Sequence, residues 1–354
     1  MSRYNIAVIP GDGVGIEVIE EGLATLEAVA KAHGGLSFEF TRFPWGCRYY
    51  LEKGKMMDED GLKILRDFDA IYLGAVGFPG VPDHISLWGL LLPIRQEFEQ
   101  YVNLRPIKLF PGVTGPLRSG NIDMICVREN TEGEYAGVGG RMFNGTPQEL
   151  ALQTAVFTRR GMERVMRFAF DYARKNGRQK VTSITKSNAC NYSMVFWDEV
   201  FAAVSRDYPD IRADQLLVDA AAALFVTRPE RFDVVVASNL FGDILTDLGA
   251  ALQGGIGLAP SANLNPERKY PSMFEPVHGS APDIAGKGVA NPVGAIWSAQ
   301  MMLEHLGEVE AAGVLMKAIA DVLAGGEVRT PDMGGKSTTT QVGEAIRQKI
   351  LIAS

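Results

Sequence analysis

Short, wholly apolar runs alternate with longer stretches of helical periodicity along most of the chain. Ile6 to Ile9 precedes an amphipathic stretch from Ile16 to Ala30, and Ala70 to Leu73 precedes Leu87 to Phe98. Val181 to Ile184 likewise precedes Met194 to Val204, and Val234 to Ala237 precedes Leu240 to Leu252. This alternation predicts an α/β fold, with largely parallel sheets covered by helices on both faces. The run DVVVAS is apolar at successive positions, as a strand buried on both sides requires. In such folds ligands gather where strands end.

Between Arg128 and Gln153 the pattern gives way to GEYAGVGGRMFNGTPQEL, which is glycine-rich and too polar for a core. It predicts a hairpin-like arm at about residues 135–155. Such an arm either completes a sheet in a partner chain or forms a mobile surface loop. No internal repeat, low-complexity tract or linker is present.

Composition narrows the function. A chain of 354 residues that is 46% hydrophobic and 22% charged can bury two domains' worth of core. With 35 Lys and Arg against 42 Asp and Glu, the net charge of -7 gives no electrostatic reason to bind nucleic acid or an anionic membrane. An anionic substrate must then be held by local arginines. Cys47, Cys126 and Cys190 lack paired spacing, which argues against a disulfide framework or zinc cluster and fits a reducing compartment. A strand pattern begins at Tyr4 with no leader ahead of it, and no apolar run approaches the roughly 18 residues of a membrane span. The expectation is a soluble, cytoplasmic protein.

The segment SNLFGDILTDLG carries the sharpest chemical signal. Asp243 and Asp247 are four apart on a helix that follows a buried strand, so they share one face, where a hard cation would relieve their repulsion. A solvated helix face, packed through Leu240, Ile244, Leu245 and Leu248, is the competing reading. Asp219, at the end of the strand-like LLVD, is a third candidate ligand. Arg95, Arg105 and Arg128 would suit a substrate with two carboxylates, although a single arginine is more often a surface ion pair. Tyr135 and Lys186 can move protons if burial or a nearby cation lowers their pKa.

Two glycine-rich segments complete the inventory. PGDGVG lacks the G-x-G-x-x-G spacing and reads as a tight turn, with Asp12 as N-cap of the helix that follows. In HGSAPDIAGKGVANP, Asp283 would accept from an adenosine ribose or simply form a turn.

Taken jointly, PGDGVG, the Arg95 to Arg105 spacing, VRENTEGEY, TKSN, ASNLFGDILTDL and EPVHGSAPDIAGKGVANP resemble the isocitrate and 3-isopropylmalate dehydrogenase family. These are decarboxylating β-hydroxyacid dehydrogenases, and the matches run in family order from about residue 6 to residue 292. The resemblance implies an isopropylmalate dehydrogenase-like, non-Rossmann α/β fold. A cofactor-binding domain would come from residues 1–103 and 255–354, and a substrate, metal and dimerisation domain from residues 104–254. It implies a homodimer with shared active sites. Arg95, Arg105 and Arg128 would bind the substrate carboxylates, with Trp88 and Leu91 shaping the pocket. Asp243 and Asp247 would hold Mg or Mn together with Asp219 of the partner chain, and a monovalent cation such as K would assist. Lys186, also from the partner, would take the C2 hydroxyl proton, and Tyr135 would protonate the enol left by decarboxylation. Gly74, Asn188, His278, Gly279, Ala281, Asp283, Ile284 and Asn291 would line the cofactor site. Members that use NADP place Lys and Tyr where this chain has Asp283 and Ile284, and a carboxylate there would repel a 2′-phosphate, so the expected cofactor is NAD.

Substrate choice should follow from SLWGLLLPIR. Isocitrate dehydrogenases carry Ser and Asn there for a third carboxylate, whereas this chain offers Trp88, Gly89, Leu90 and Leu91. DHISLWGLL, FTRRG and APSANLNPER resemble the branch of the family that acts on tartrate and D-malate. Small C4 acids are therefore expected, including meso-tartrate for simple decarboxylation, with 3-isopropylmalate or another β-alkylmalate as the alternative.

Overall fold

The computed structural model describes residues 2–117 and 121–353. From the N-terminus the chain forms β1 (Ser2–Gly11), α1 (Val14–His33), β2 (Leu36–Arg42), α2 (Cys47–Lys53), α3 (Gly61–Leu65) and β3 (Ala70–Ala75). Next come α4 (Asp83–Ser86), a π-helical turn (Leu87–Leu91), α5 (Leu92–Glu97), β4 (Val102–Lys108) and β5 (Asp123–Glu129). The middle contains β6 (Gly133–Met142), β7 (Leu150–Val156), α6 (Arg159–Lys175), β8 (Lys180–Thr185) and α7 (Ser193–Ser205). It continues with β9 (Arg212–Leu217), α8 (Val218–Thr227), β10 (Val234–Ala237) and α9 (Asn239–Leu252). The C-terminal part supplies β11 (Pro260–Leu264), β12 (Ser272–Pro276), α10 (Val293–Leu306), α11 (Val309–Gly325) and α12 (Thr339–Ala353).

Two compact units result. Unit 1 takes Met1–Gln100, Pro106–Ser119 and Ala250–Ser354, and unit 2 takes Tyr101–Arg105 and Gly120–Gly249. The segment 106–119 thus groups with both chain ends. In unit 1 the strands lie in the order β2-β1-β3-β12-β11. β1 is parallel to both its neighbours and β12 is parallel to β3, while β11 runs antiparallel to β12. Helices α1, α10, α11 and α12 pack on one another, and Glu21 on α1 pairs with Arg347 on α12. In unit 2 the order is β5-β10-β8-β9, all parallel. Val234 to Ala237 are all buried, as their unbroken apolar run requires. Helix α6 starts at Thr158, whose hydroxyl accepts from the Gly161 amide at 3.0 Å and satisfies a donor the helix leaves open. No helix of the described residues is long and apolar enough to cross a membrane.

The arm is a two-stranded antiparallel ribbon, β6 with β7, whose pairing shifts between Gly133 and Val138. Val138, Met142, Phe143, Leu150 and Leu152 all stand exposed on it.

Three local expectations fail, each for a physical reason. Leu87 to Phe98 is not one regular helix, because the turn from Leu87 to Leu91 widens to π geometry, with the Leu92 amide donating to the Leu87 carbonyl. Pro93 has no N–H to return to Gly89, and Gly89 admits no side chain, since a Cβ there would lie 2.5 Å from the Met56 Cγ. Asp12 does not cap α1. Its carboxylate instead accepts from the amides of Cys47 (3.0 and 2.9 Å) and Arg48 (3.2 Å), closing the N-terminus of α2, and from Gly77 at 3.1 Å. Asp219 does not end a strand, because β9 stops at Leu217 and Asp219 sits in the first turn of α8.

Candidate active site

The chemistry-bearing residues of unit 2 meet where Arg105 in the middle of β4, Arg128 near the carboxyl end of β5 and helix α9 after β10 come together. Helix α9 begins directly after buried β10, and Glu134 fixes its start: the carboxylate accepts from the Ser238 hydroxyl (2.9 Å) and the Leu240 amide (3.1 Å). An anion at that end also complements the helix dipole. One turn along α9, Asp243 meets Arg128 at 2.5 Å and Arg105 at 3.6 Å, and Asp247 lies 3.7 Å from Arg105. Asn239 orients Arg128 by accepting from Nε (3.1 Å) and Nη2 (2.8 Å), and Thr246 accepts from Arg105 at 2.6 Å. Gly242 has a packing reason to be glycine, because a Cβ there would lie 2.6 Å from the Arg128 Cγ. Both guanidinium groups are therefore buried and aimed before any ligand arrives.

Tyr135 completes this group. Its hydroxyl donates to Asp243 at 3.1 Å, and the Arg128 guanidinium lies 5.7 Å from its ring centre. Burial, followed by the Asp243 charge, raises the phenol pKa, so the ring keeps its proton at neutral pH. Asp247 is also raised, first by burial and then by the like charge of Asp243, against the opposing pull of Arg105. A carboxylate pair still strained after two arginines have been supplied favours a further cation. Hard oxygen donors suit Mg or Mn.

The remaining expected residues are distributed as follows. Lys186, at the end of β8, donates to Asp219 at 2.8 Å, and this bond is the chief cause that lowers the Asp219 pKa. Among the described residues no group of three or more His, Cys, Asp or Glu is disposed to hold a metal ion, so Asp219 does not complete the Asp243 and Asp247 pair within one chain. Ile244 is 59% exposed and Leu240 and Leu248 are half-buried, leaving Leu245 alone to anchor the stripe expected to pack α9. Arg95, in unit 1, is buried and paired with Glu275 at 2.8 Å, yet its Nε has no acceptor, and the same is true of Arg105 Nε. Trp88 is 42% exposed on the π turn, Leu91 is half-buried, and Leu90 is fully buried in the core.

The expected cofactor residues divide into surface and support. Asp283 is exposed with no hydrogen-bond partner among the described residues, and Gly279 and Asn188 are exposed. His278 makes a bond from Nδ1 to the Gly279 carbonyl (2.9 Å), its buried Nε2 lacks a partner, and burial lowers its pKa. An unmet imidazole nitrogen and a free carboxylate on one loop fit the amino and ribose hydroxyl donors of a nucleotide. Ile284 turns inward with Ala281 and Ala285 against Val14 and Val18 of α1. Asn291 is committed within the chain, donating to Asp332 (3.0 Å) and accepting from the Val293 amide (3.0 Å). Gly74 is held by packing, since a Cβ there would lie 2.1 Å from the Pro10 carbonyl oxygen.

Sequence reasoning missed Glu134, Asn239 and Thr246, which hold the site rather than face it. Ser-Asn directly after a buried strand is a recognisable helix-start signal and would have pointed to Asn239. It also missed Glu129, a fully buried carboxyl raised to about 7 by burial, against the hydrogen bonds it accepts from the Thr131 amide and hydroxyl and the Glu132 amide. In the unfolded chain it titrates near 4.5. Folding therefore becomes less favourable as pH rises from about 4.5 to 7, by about 3 kcal/mol in all, and the cost is absent below that window. Glu129→Gln should flatten this dependence. The gap in Tm between variant and wild type should move by a few degrees in the variant's favour from pH 5 to pH 8, and a gap that stays constant with pH contradicts the assignment.

Comparison with known proteins points to one family. The family model for isocitrate/isopropylmalate dehydrogenase matches residues 5–346. A probable tartrate dehydrogenase/decarboxylase of Bacillus subtilis is 57% identical over 352 residues, covering 99% of both chains. The tartrate dehydrogenase/decarboxylase of Pseudomonas putida is 55% identical, covering 97% of this chain and 96% of its own. The decarboxylating D-malate dehydrogenase of Escherichia coli is 54% identical, covering 99% of each. Isocitrate dehydrogenase from Methylococcus capsulatus superposes with a TM-score of 0.90 at 36% identity, covering 98% of this chain and 99% of that one. With its buried arginines aimed at a carboxylate pair and its length matched almost end to end, the chain belongs to the isocitrate/isopropylmalate dehydrogenase family.

Proposed function

We propose that this chain oxidises small 2-hydroxy dicarboxylic acids, D-malate and tartrate, with NAD and a divalent metal, and decarboxylates the product where the substrate allows it. It would also decarboxylate meso-tartrate from the same site. The carrying observation is the cluster of Asp243, Asp247, Arg105, Arg128 and Tyr135 in unit 2. The names of the relatives from Pseudomonas putida and Escherichia coli support the same substrates.

Asp243 and Asp247 would hold Mg or Mn, and Asp283 with His278 would receive the adenosine half of NAD, with a monovalent cation such as K assisting. When bound, the metal supplies electrophilic polarisation of substrate oxygens and NAD supplies the hydride acceptor. Arg105 and Arg128 bind a carboxylate through guanidinium groups that Thr246 and Asn239 already orient, so little side-chain entropy is lost on binding. Arg95, buried and paired with Glu275 in unit 1, would be the third arginine of the set. Lys186 takes the C2 hydroxyl proton as hydride leaves C2. Tyr135, kept protonated by burial, delivers its phenolic proton to the enol carbon once the β-carboxylate has left as carbon dioxide.

We further propose a homodimer with shared sites. Ile244, with Leu240 and Leu248 four residues to either side, forms an open apolar stripe on α9, and the arm exposes a second apolar set. Apolar surface in contiguous stripes marks an association face. A second copy would bring Asp219 and Lys186 to the Asp243 and Asp247 pair, which one chain leaves incomplete. The cytoplasm is the compartment the three free thiols suit.

The apolar π turn also supports a second reading, with 3-isopropylmalate or another β-alkylmalate as substrate. Half-buried Leu91 and exposed Leu87 and Trp88 would accept a branched substituent. The test is kcat/KM for D-malate, L-tartrate and 3-isopropylmalate with Mn and NAD. D-malate or tartrate should lead, and a preference of about 100-fold or more for isopropylmalate, near 2.7 kcal/mol in transition-state binding, would overturn the assignment.

A further inference from the structure

PGDGVG is a glycine turn at the start of a helix, where a phosphate would ordinarily be sought, and its geometry excludes that use. The Val14 amide at the start of α1 already donates to the Ser280 carbonyl at 2.8 Å. A Cβ on Gly13 would lie 2.0 Å from that same oxygen, so the turn and the loop are in direct backbone contact. One turn further on, Glu17 reaches across to the loop. Its carboxylate accepts from the Gly286 amide with one oxygen and from the Gly288 amide, at 3.0 Å, with the other. Gly286 and Gly288 are both left-handed, at φ 75° and 63°, a conformation that turns their amides toward one point. Beneath this, Val14 and Val18 pack against Ala281, Ile284, Ala285 and Ala290 of the same loop.

We propose that Glu17 is a positioning residue for the cofactor: its carboxylate fills an anion nest made by the Gly286 and Gly288 amides and thereby fixes the loop that presents Asp283 and His278 to NAD. The inference rests on the reading of that loop as the NAD site. A side chain supplied by the fold occupies backbone donors that a phosphate occupies elsewhere. The loop is thus shaped before the nucleotide arrives, and ordering costs at binding are reduced. Gln in place of Glu keeps one acceptor and turns an N–H toward the other glycine amide, which breaks the clamp without changing size.

The experiment is NAD titration by calorimetry on wild type, Glu17→Gln and Gly286→Ala, with hydrogen exchange read at residues 283–288 in the absence of NAD. Gly286→Ala strains the same contact from the loop side and leaves α1 intact. Glu20→Gln, on the same helix but paired with exposed Arg42, is the control. Both test variants should show faster exchange in the loop, and the Kd for NAD should rise about 10-fold. KM for the hydroxy acid and kcat at saturating NAD should stay within about 2-fold, which general loss of structure would not allow. If wild type binds NAD and both variants bind it equally well, the clamp is overturned while the NAD site stands. If wild type does not bind NAD, the site and the clamp fall together.

Discussion

Asp247→Asn should abolish NADH formation on every hydroxy acid while raising, or at least not lowering, the Tm of the metal-free protein. Burial and the neighbouring Asp243 charge hold the Asp247 pKa above its ordinary value. The ionised form is therefore disfavoured in the folded chain, and a neutral amide of the same shape relieves that repulsion at neutral pH. Catalysis should move the opposite way. If Asp247 holds the metal as proposed, its loss should cost more than the roughly 10- to 100-fold that loss of an outer support costs in metal affinity. Mn affinity followed by calorimetry separates this from damage to the fold. A variant that keeps wild-type rates at limiting Mn removes Asp247 from the ligand set.

Mixing two dead proteins should restore activity. If Asp243 and Asp247 of one chain work with Lys186 and Asp219 of its partner, Asp247→Asn and Lys186→Met homodimers are each inactive. A dimer with one chain of each kind carries one doubly damaged site and one intact site. Random exchange makes about half of the dimers mixed, so roughly one quarter of wild-type activity should return. If Lys186 serves the site of its own chain, every site in every mixture carries one lesion and no activity returns. The same mixture tests the exposed Ile244 stripe, because Ile244→Glu in both chains should prevent the rescue by opposing association.

The division between what sequence foretold and what it missed follows the range of the forces involved. Strands such as Val234 to Ala237 were legible because burial on both faces demands an unbroken apolar run, which local pattern records. Asp243 and Asp247 were legible for the same local reason, being four residues apart after such a strand. The role of Asp12 was not, because its partners are amides at positions 47, 48 and 77, and backbone amides have no residue identity to read. Glu17 was hidden in the same way, since Gly286 and Gly288 advertise only flexibility. The π turn escaped because Pro93 and Gly89 are each tolerated in a helix start, and the Met56 contact that singles out Gly89 is tertiary. Ile244 misled because a single chain's periodicity does not distinguish a face packed on its own core from one left exposed.

The threading of unit 1 sets an order for the birth of the molecule. Almost all of unit 2 is one unbroken stretch, Gly120–Gly249, so its parallel strands can assemble while the ribosome still holds the rest. Unit 1 waits. Its N-terminal helix α1 leans on α12, and the pair Glu21 with Arg347 spans 326 residues of chain. Until α12 emerges, the face of α1 that packs on it stays uncovered, while β1, β2 and β3 can already cover its other side. Loss of α12 would therefore be felt at α1, on the far side of the sequence but in direct contact in the fold.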